Sequence, residues 1–167
     1  VSHFTEHMMF KGTDKRSAKE IASDIDKLGG QINAFTGKEA TCYYVKTTGN
    51  NLLKAADVLV DMITASRFDK EEMDRERLVI CEEIKMTSDT PDDLAIDEGL
   101  HLVLESSSLG NSILGTPSSL KKITGNVMHN YVRDKYTLDK IVVSVAGKFN
   151  EEKLREFFEN AFDSMYK

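Results

Sequence analysis

Cysteine is scarce in this chain: its 167 residues include two, Cys42 and Cys81, and neither belongs to a C-x-x-C pair. That argues against a disulfide scaffold and points to a reducing compartment. Proline is equally rare, with Pro91 and Pro117 alone, and no Pro/Gly/Ser-rich linker marks a domain boundary. No apolar run approaches ~18 residues, which excludes a membrane-spanning helix. Positive charge is in deficit, with 22 Lys+Arg against 28 Asp+Glu and a formal net charge of -6. There is no basic stripe either, so nucleic acid is a poor partner. What is present, 40% hydrophobic and 30% charged residues, describes a globular chain. It is long enough for one domain with a real core.

The local signals alternate between helix and strand. Val1 to Phe10 reads as a short helix. Ser17 and Glu20 form a capping box that opens a helix with Ile21, Ile25 and Leu28 on one stripe, and Gly29-Gly30 stops it. The stretches QINAFT and EATCYYVKTT, joined at Gly37-Lys38, read as a β-hairpin. An amphipathic helix is expected from Asn51 to Ser66. A long helix follows from Asp69 to about Thr87, and another runs from Thr90-Pro91 to about Leu104. Thr116 and Thr124 cap two short helices. KIVVSVAG is expected to be a buried strand, and Asn150 starts the last helix. Such a strand needs neighbours on both sides, so strands of its sheet are expected outside the given sequence, and the fold class is α+β: a mainly antiparallel sheet with helices packed on one face. The opening VSHFTEHMMF has no initiator Met, signal peptide or basic leader and reads as the middle of a longer sequence.

The chemistry concentrates in His3, Glu6 and His7, an H-x-x-E-H pattern. On a helix, residues four apart project from one face about one turn apart, so both imidazoles can meet one metal ion. Glu6 lies about 60° round the helix from His3 and can flank the ion without binding it. Zinc takes nitrogen and carboxylate donors in a tetrahedron, and two His plus one carboxylate leave a position for water. The helix is too short to supply the third ligand. Between Asp69 and Glu98 the chain carries 12 acids and 4 bases, and the long helix there offers candidates. Glu76 and Glu83 are two turns apart on one face, so one could bind directly and the other support through a hydrogen bond. Glu82 lies about 100° away from Glu83.

HFTEHMMFKGT, GGQINAFTGKEATCYY, ERLVICEEIKM, TPDDL and LGNSILGT, in this order, resemble the inverzincin metallopeptidases of the pitrilysin/insulinase family. The likeness is greatest to the processing-peptidase branch, which includes mitochondrial processing peptidase β subunits and bacterial homologues. The resemblance implies Zn2+ held by His3, His7 and Glu83. The family's distal ligand follows the second His by about 76 positions, which favours Glu83 over Glu82. It implies two catalytic carboxylates, Glu6 as general base and Glu76 in support. Extended substrate would pair with the edge strand at Asn33, Ala34 and Phe35. The implied activity is zinc endopeptidase on extended or unfolded peptides such as presequences. The alternative is a non-catalytic peptide-binding or structural subunit. The resemblance makes residues 1–167 the body of a catalytic domain, one half of a two-domain peptidase. Leading strands and a second domain would lie outside it, and that second half would mediate a homodimer or heterodimer. The implied location is the bacterial cytoplasm or, alternatively, the mitochondrial matrix.

Other residues carry weaker signals. His101 and His129 read as packed or exposed rather than as ligands. Cys81 and Cys42 read as core, Met8-Met9 as packing behind the first helix, and Phe4 as either a wall of the site or a core contact.

Overall fold

The computed structural model describes residues 1–163. In chain order the elements are α1 (Ser2–Met9), α2 (Ala18–Lys27), β1 (Gln31–Thr36), β2 (Thr41–Lys46), α3 (Leu52–Ala65), α4 (Lys70–Ser88), α5 (Pro91–Val103), α6 (Pro117–Lys121), α7 (Gly125–Lys135) and α8 (Glu151–Asp163). The class is α+β. The short link between β1 and β2 makes their ladder antiparallel, as a tight hairpin must be. The helix ends follow their local chemistry. Ser17 and Glu20 close the capping box at α2. Gly29, at φ 63°, takes the left-handed turn that ends it. Thr116 caps α6 reciprocally with Ser119.

The chain divides into two compact units. The first comprises Val1–Met8, Phe35–Cys42 and Phe68–Asn130. Its core contains Phe4 and Met8 from α1, Met73 and Ile80 from α4, Leu120 from α6, Ile123, and Met128 from α7. Arg77 of α4 ties several of these segments together. Its guanidinium lies 5.2 Å from the Phe4 ring centroid. It also donates to the carbonyls of Leu120 and, at 3.2 Å, of Ile123. One cation thus serves as both a cation–π partner and a cap for the turn after α6. Phe4 is therefore a core contact. The hairpin turn is held separately, because Lys38 Nζ donates to Asp97 Oδ1 at 3.2 Å and to the Asn111 carbonyl at 2.8 Å.

The second unit comprises Met9–Ala34, Tyr43–Arg67 and the chain from Tyr131 onward. Its core draws on Met9, on Ile21 and Ile25 from α2, on Ala55, Ala56, Val58 and Met62 from α3, and on Leu154 and Phe162 from α8. At its centre is a buried carboxylate, Asp61, only 3% exposed. Asp61 Oδ2 accepts from Thr13 Oγ1 at 2.7 Å and from Arg16 Nη1 at 2.6 Å. Arg16 also donates to Asp57 at 2.5 Å and to Asp24 at 3.3 Å. The loop that carries Thr13 turns at Gly12, whose φ of 126° suits glycine.

Two expectations need correction. Residues 141–146 form no strand; Val142 is 90% exposed. An apolar run becomes a strand only where neighbours take its N–H and C=O groups. Among the described residues β1 and β2 pair only with each other. Cys42 and Cys81, expected in the core, are free and half-buried. A two-stranded ladder leaves Cys42 partly open on its own face, and Cys81 lies just off the buried stripe of α4. Met8 and Met9 are fully buried, as expected.

Candidate metal centre

α1 is divided lengthwise. Phe4, Thr5, Met8 and Met9 are buried, while His3, Glu6 and His7 occupy the opposite, half-buried side. This is helical spacing at work: the packed residues fix the roll of the helix, and the roll aims both imidazoles the same way. α4 presents its own stripe at Met73, Glu76, Ile80 and Glu83. The apolar members anchor the stripe, and the two acids are carried inward with them. Glu76 is buried, and the Glu83 side chain is 35% exposed.

These stripes bring three donor atoms together. His3 Nε2 and His7 Nε2 are 3.3 Å apart. Glu83 Oε2 lies 3.6 Å from each. Two nitrogens about 2.05 Å from a tetrahedral centre stand about 3.3 Å apart, so the triangle has the size of three corners of a zinc tetrahedron. Glu83 Oε2 is buried and has no hydrogen-bond partner. Packing bare lone pairs against one another is unfavourable unless a cation or a shared proton sits among them. Burial, then the nearby charge of His7, pushes the His3 pKa down, against the opposing pull of Glu83 and Glu6. Its neutral form, the one that binds metal, is thereby favoured. His3, His7 and Glu83 are the only such convergence of His, Cys, Asp or Glu among the described residues.

Glu76 fixes the tautomer of His7. Its Oε2 lies 2.9 Å from His7 Nδ1. A carboxylate there accepts the Nδ1–H, leaving the lone pair on Nε2, where the other two donors converge. Glu82 points away and pairs with Lys85 at 2.7 Å, its side chain 67% exposed. Glu6 stands beside the triangle without joining it, and its Oε2 accepts a hydrogen bond from Thr36 Oγ1. His101 donates to the Gly110 carbonyl at 3.2 Å, and His129 packs edge-on against Phe68. Neither approaches the cluster. On β1, Asn33 and Phe35 are exposed and Ala34 is half-buried.

Thr36 and Arg77 escaped the sequence reading. Thr36 lies within the quoted motif GGQINAFTGKEATCYY, but no spacing rule connects a strand residue to Glu6, thirty positions earlier. Arg77 is adjacent in sequence to Glu76, and nothing local marks it as the partner of Phe4.

Comparison with known proteins shows what the chain is similar to. The profile of the family described as "Insulinase (Peptidase family M16)" matches residues 1–117. A Bacillus subtilis (strain 168) protein named "Uncharacterized zinc protease YmxG" is 46% identical over 156 residues, 93% of this chain and 38% of that protein. An Arabidopsis thaliana protein named as a probable mitochondrial-processing peptidase subunit beta is 34% identical over 165 residues, 99% of this chain and 31% of its own length. A solved structure described as "Crystal structure of putative M16-like peptidase from Alicyclobacillus acidocaldarius" superposes with a TM-score of 0.86 at 26% identity, covering 100% of this chain and 38% of that one. The chain thus spans well under half the length of the relatives it matches. With the family profile covering most of its length, from the paired histidines past the distal glutamate, the chain belongs to the insulinase family, peptidase family M16.

Proposed function

We propose that this chain carries the zinc site of a metalloendopeptidase acting on extended or unfolded peptides, presequences among them. The observation that supports it most is the triangle of His3 Nε2, His7 Nε2 and Glu83 Oε2 at 3.3 to 3.6 Å, with Glu6 beside it. These residues would hold the zinc, and Glu76 would hold His7. Zinc, when bound, supplies Lewis acidity that polarises a peptide carbonyl and acidifies water. Glu6 has its Oε2 engaged by Thr36, so Oε1 is free to take the proton of the attacking water and return it to the departing amine. Substrate adds to β1 as an extended strand, pairing with the backbone at Asn33, Ala34 and Phe35. Asn33 and Phe35 are exposed on that strand.

A second domain or subunit completes the substrate chamber, in a homodimer or heterodimer. The small share of each relative's length that the chain spans supports this. No helix among the described residues is long and apolar enough to cross a membrane. We propose the bacterial cytoplasm as its location, with the mitochondrial matrix as the alternative.

The test is metal content together with cleavage of a quenched peptide, before and after chelation. The holoenzyme is expected to hold one zinc per site, to lose cleavage with the chelator and to regain it when zinc is restored. Replacing His3, His7 or Glu83 by Ala should bring zinc to background. Full zinc content in Glu83→Ala would overturn the ligand set, and a zinc-loaded holoenzyme without cleavage would favour the non-catalytic reading. Glu76→Gln keeps an acceptor for His7 Nδ1–H but removes its charge. Zinc affinity, measured by competition with a chelating dye, should fall by about 10- to 100-fold.

A further inference from the structure

We infer that Thr36 is a positioning residue for Glu6: its hydroxyl holds one carboxylate oxygen so that the other faces the attacking water. The inference rests on the reading of Glu6 as general base. The direction of the bond follows from donor chemistry. An ionised Glu6 can only accept, so Thr36 Oγ1 must donate to Glu6 Oε2. A hydroxyl has one proton, so toward its other neighbour Thr36 acts as acceptor. That neighbour is Thr41 Oγ1, at 3.2 Å. The result is a one-way chain, Thr41 to Thr36 to Glu6, in which every hydroxyl proton has a fixed destination.

The chain is anchored where a base needs it. Thr36 ends β1 and Thr41 begins β2, so the two hydroxyls face each other across the mouth of the hairpin. The turn between them is closed by the Gly37 N–H donating to the Ala40 carbonyl at 2.8 Å. Lys38, within that turn, is tied to Asp97 and to the Asn111 carbonyl. The hydroxyl that meets Glu6 thus sits on a strand end pinned from two sides. Glu6 itself lies on the half-buried side of α1, and a Glu side chain has three rotatable bonds. Without Thr36 the carboxylate would populate several rotamers, only some of them facing the reacting water. Misplacing a catalytic group by about 1 Å costs on the order of 100-fold in rate.

The experiment compares Thr36→Val, Thr36→Ser and Glu6→Gln in the zinc-loaded holoenzyme, measuring zinc content, thermal melting, kcat and KM on one quenched peptide. Valine matches the shape and strand preference of threonine and removes only the hydroxyl. The expected result for Thr36→Val is kcat lowered by about 10- to 100-fold with zinc content and KM unchanged. Thr36→Ser, which restores the donor, should return kcat to within about threefold of the parent enzyme. A Thr36→Val enzyme with parental kcat, or a Thr36→Ser enzyme as slow as Thr36→Val, would overturn the inference. Glu6→Gln separates the two ideas. If it is inactive while Thr36→Val is unaffected, only the positioning role fails. If Glu6→Gln itself keeps parental activity, the base assignment fails and the role of Thr36 fails with it.

Discussion

Replacing Glu6 by Gln will leave zinc in place and reduce peptide hydrolysis by about 10³-fold, within the range expected for loss of a general base. The separation follows from geometry. Glu6 contributes no atom to the His3–His7–Glu83 triangle, so its loss should not release the ion. Its Oε2 is bonded to Thr36 rather than to either imidazole, so glutamine can occupy the same place with little disturbance. What glutamine cannot do is accept a proton from water and pass it to an amine. The readout is zinc per chain alongside turnover of a quenched peptide. Loss of metal together with activity would move Glu6 into the ligand set. Undiminished turnover would remove it from the chemistry.

The largest stability effect is expected within the second unit. Arg16→Met should destabilise the protein by about 3 kcal/mol, a fall in Tm of roughly 6 to 12 °C. Asp61 is buried and depends on two donors, Arg16 Nη1 and Thr13 Oγ1. Removing the guanidinium leaves a buried carboxylate with one neutral partner. Its other oxygen, Oδ1, already lacks a hydrogen bond. The same arginine links α2 to α3 through Asp24 and Asp57, but those partners are more exposed and should matter less. The double variant Arg16→Met/Asp61→Leu should recover most of the loss, because it removes the uncompensated charge along with its partner. Chemical unfolding of the single and double variants measures the coupling. A single variant within about 0.5 kcal/mol of the parent would show that Asp61 is satisfied without Arg16.

Some of this is legible in the sequence alone. The helix boundaries at Ser17, Pro91 and Pro117 are set by neighbouring residues alone, through capping and the missing proline N–H, and they fall where local chemistry places them. The His3–His7 pair is legible for the same reason: a four-residue helical spacing carries its own geometry. The i, i+7 relation of Glu76 and Glu83 is likewise a property of one helix, which is why both acids share a face.

Local pattern misleads where a partner decides the outcome. The run at 141–146 is as apolar as a buried strand, yet Val142 is almost fully exposed. Strand formation is a contract between chains of N–H and C=O groups, and an apolar sequence does not carry the other half.

The sequence by itself determined the helices, the capping at Ser17 and Thr116, and which helix faces carry His3, His7, Glu76 and Glu83, because these depend on contacts within about two turns. Only the tertiary structure decided that His7 turns one nitrogen to Glu76 and the other toward Glu83, that Glu82 is left to solvent, and that the Thr36 hydroxyl reaches Glu6. The contacts of His7 with Glu76 and Glu83, and of Glu6 with Thr36, join residues dozens of positions apart. Their distances are set by how buried stripes roll and seat against one another, a quantity no local spacing contains.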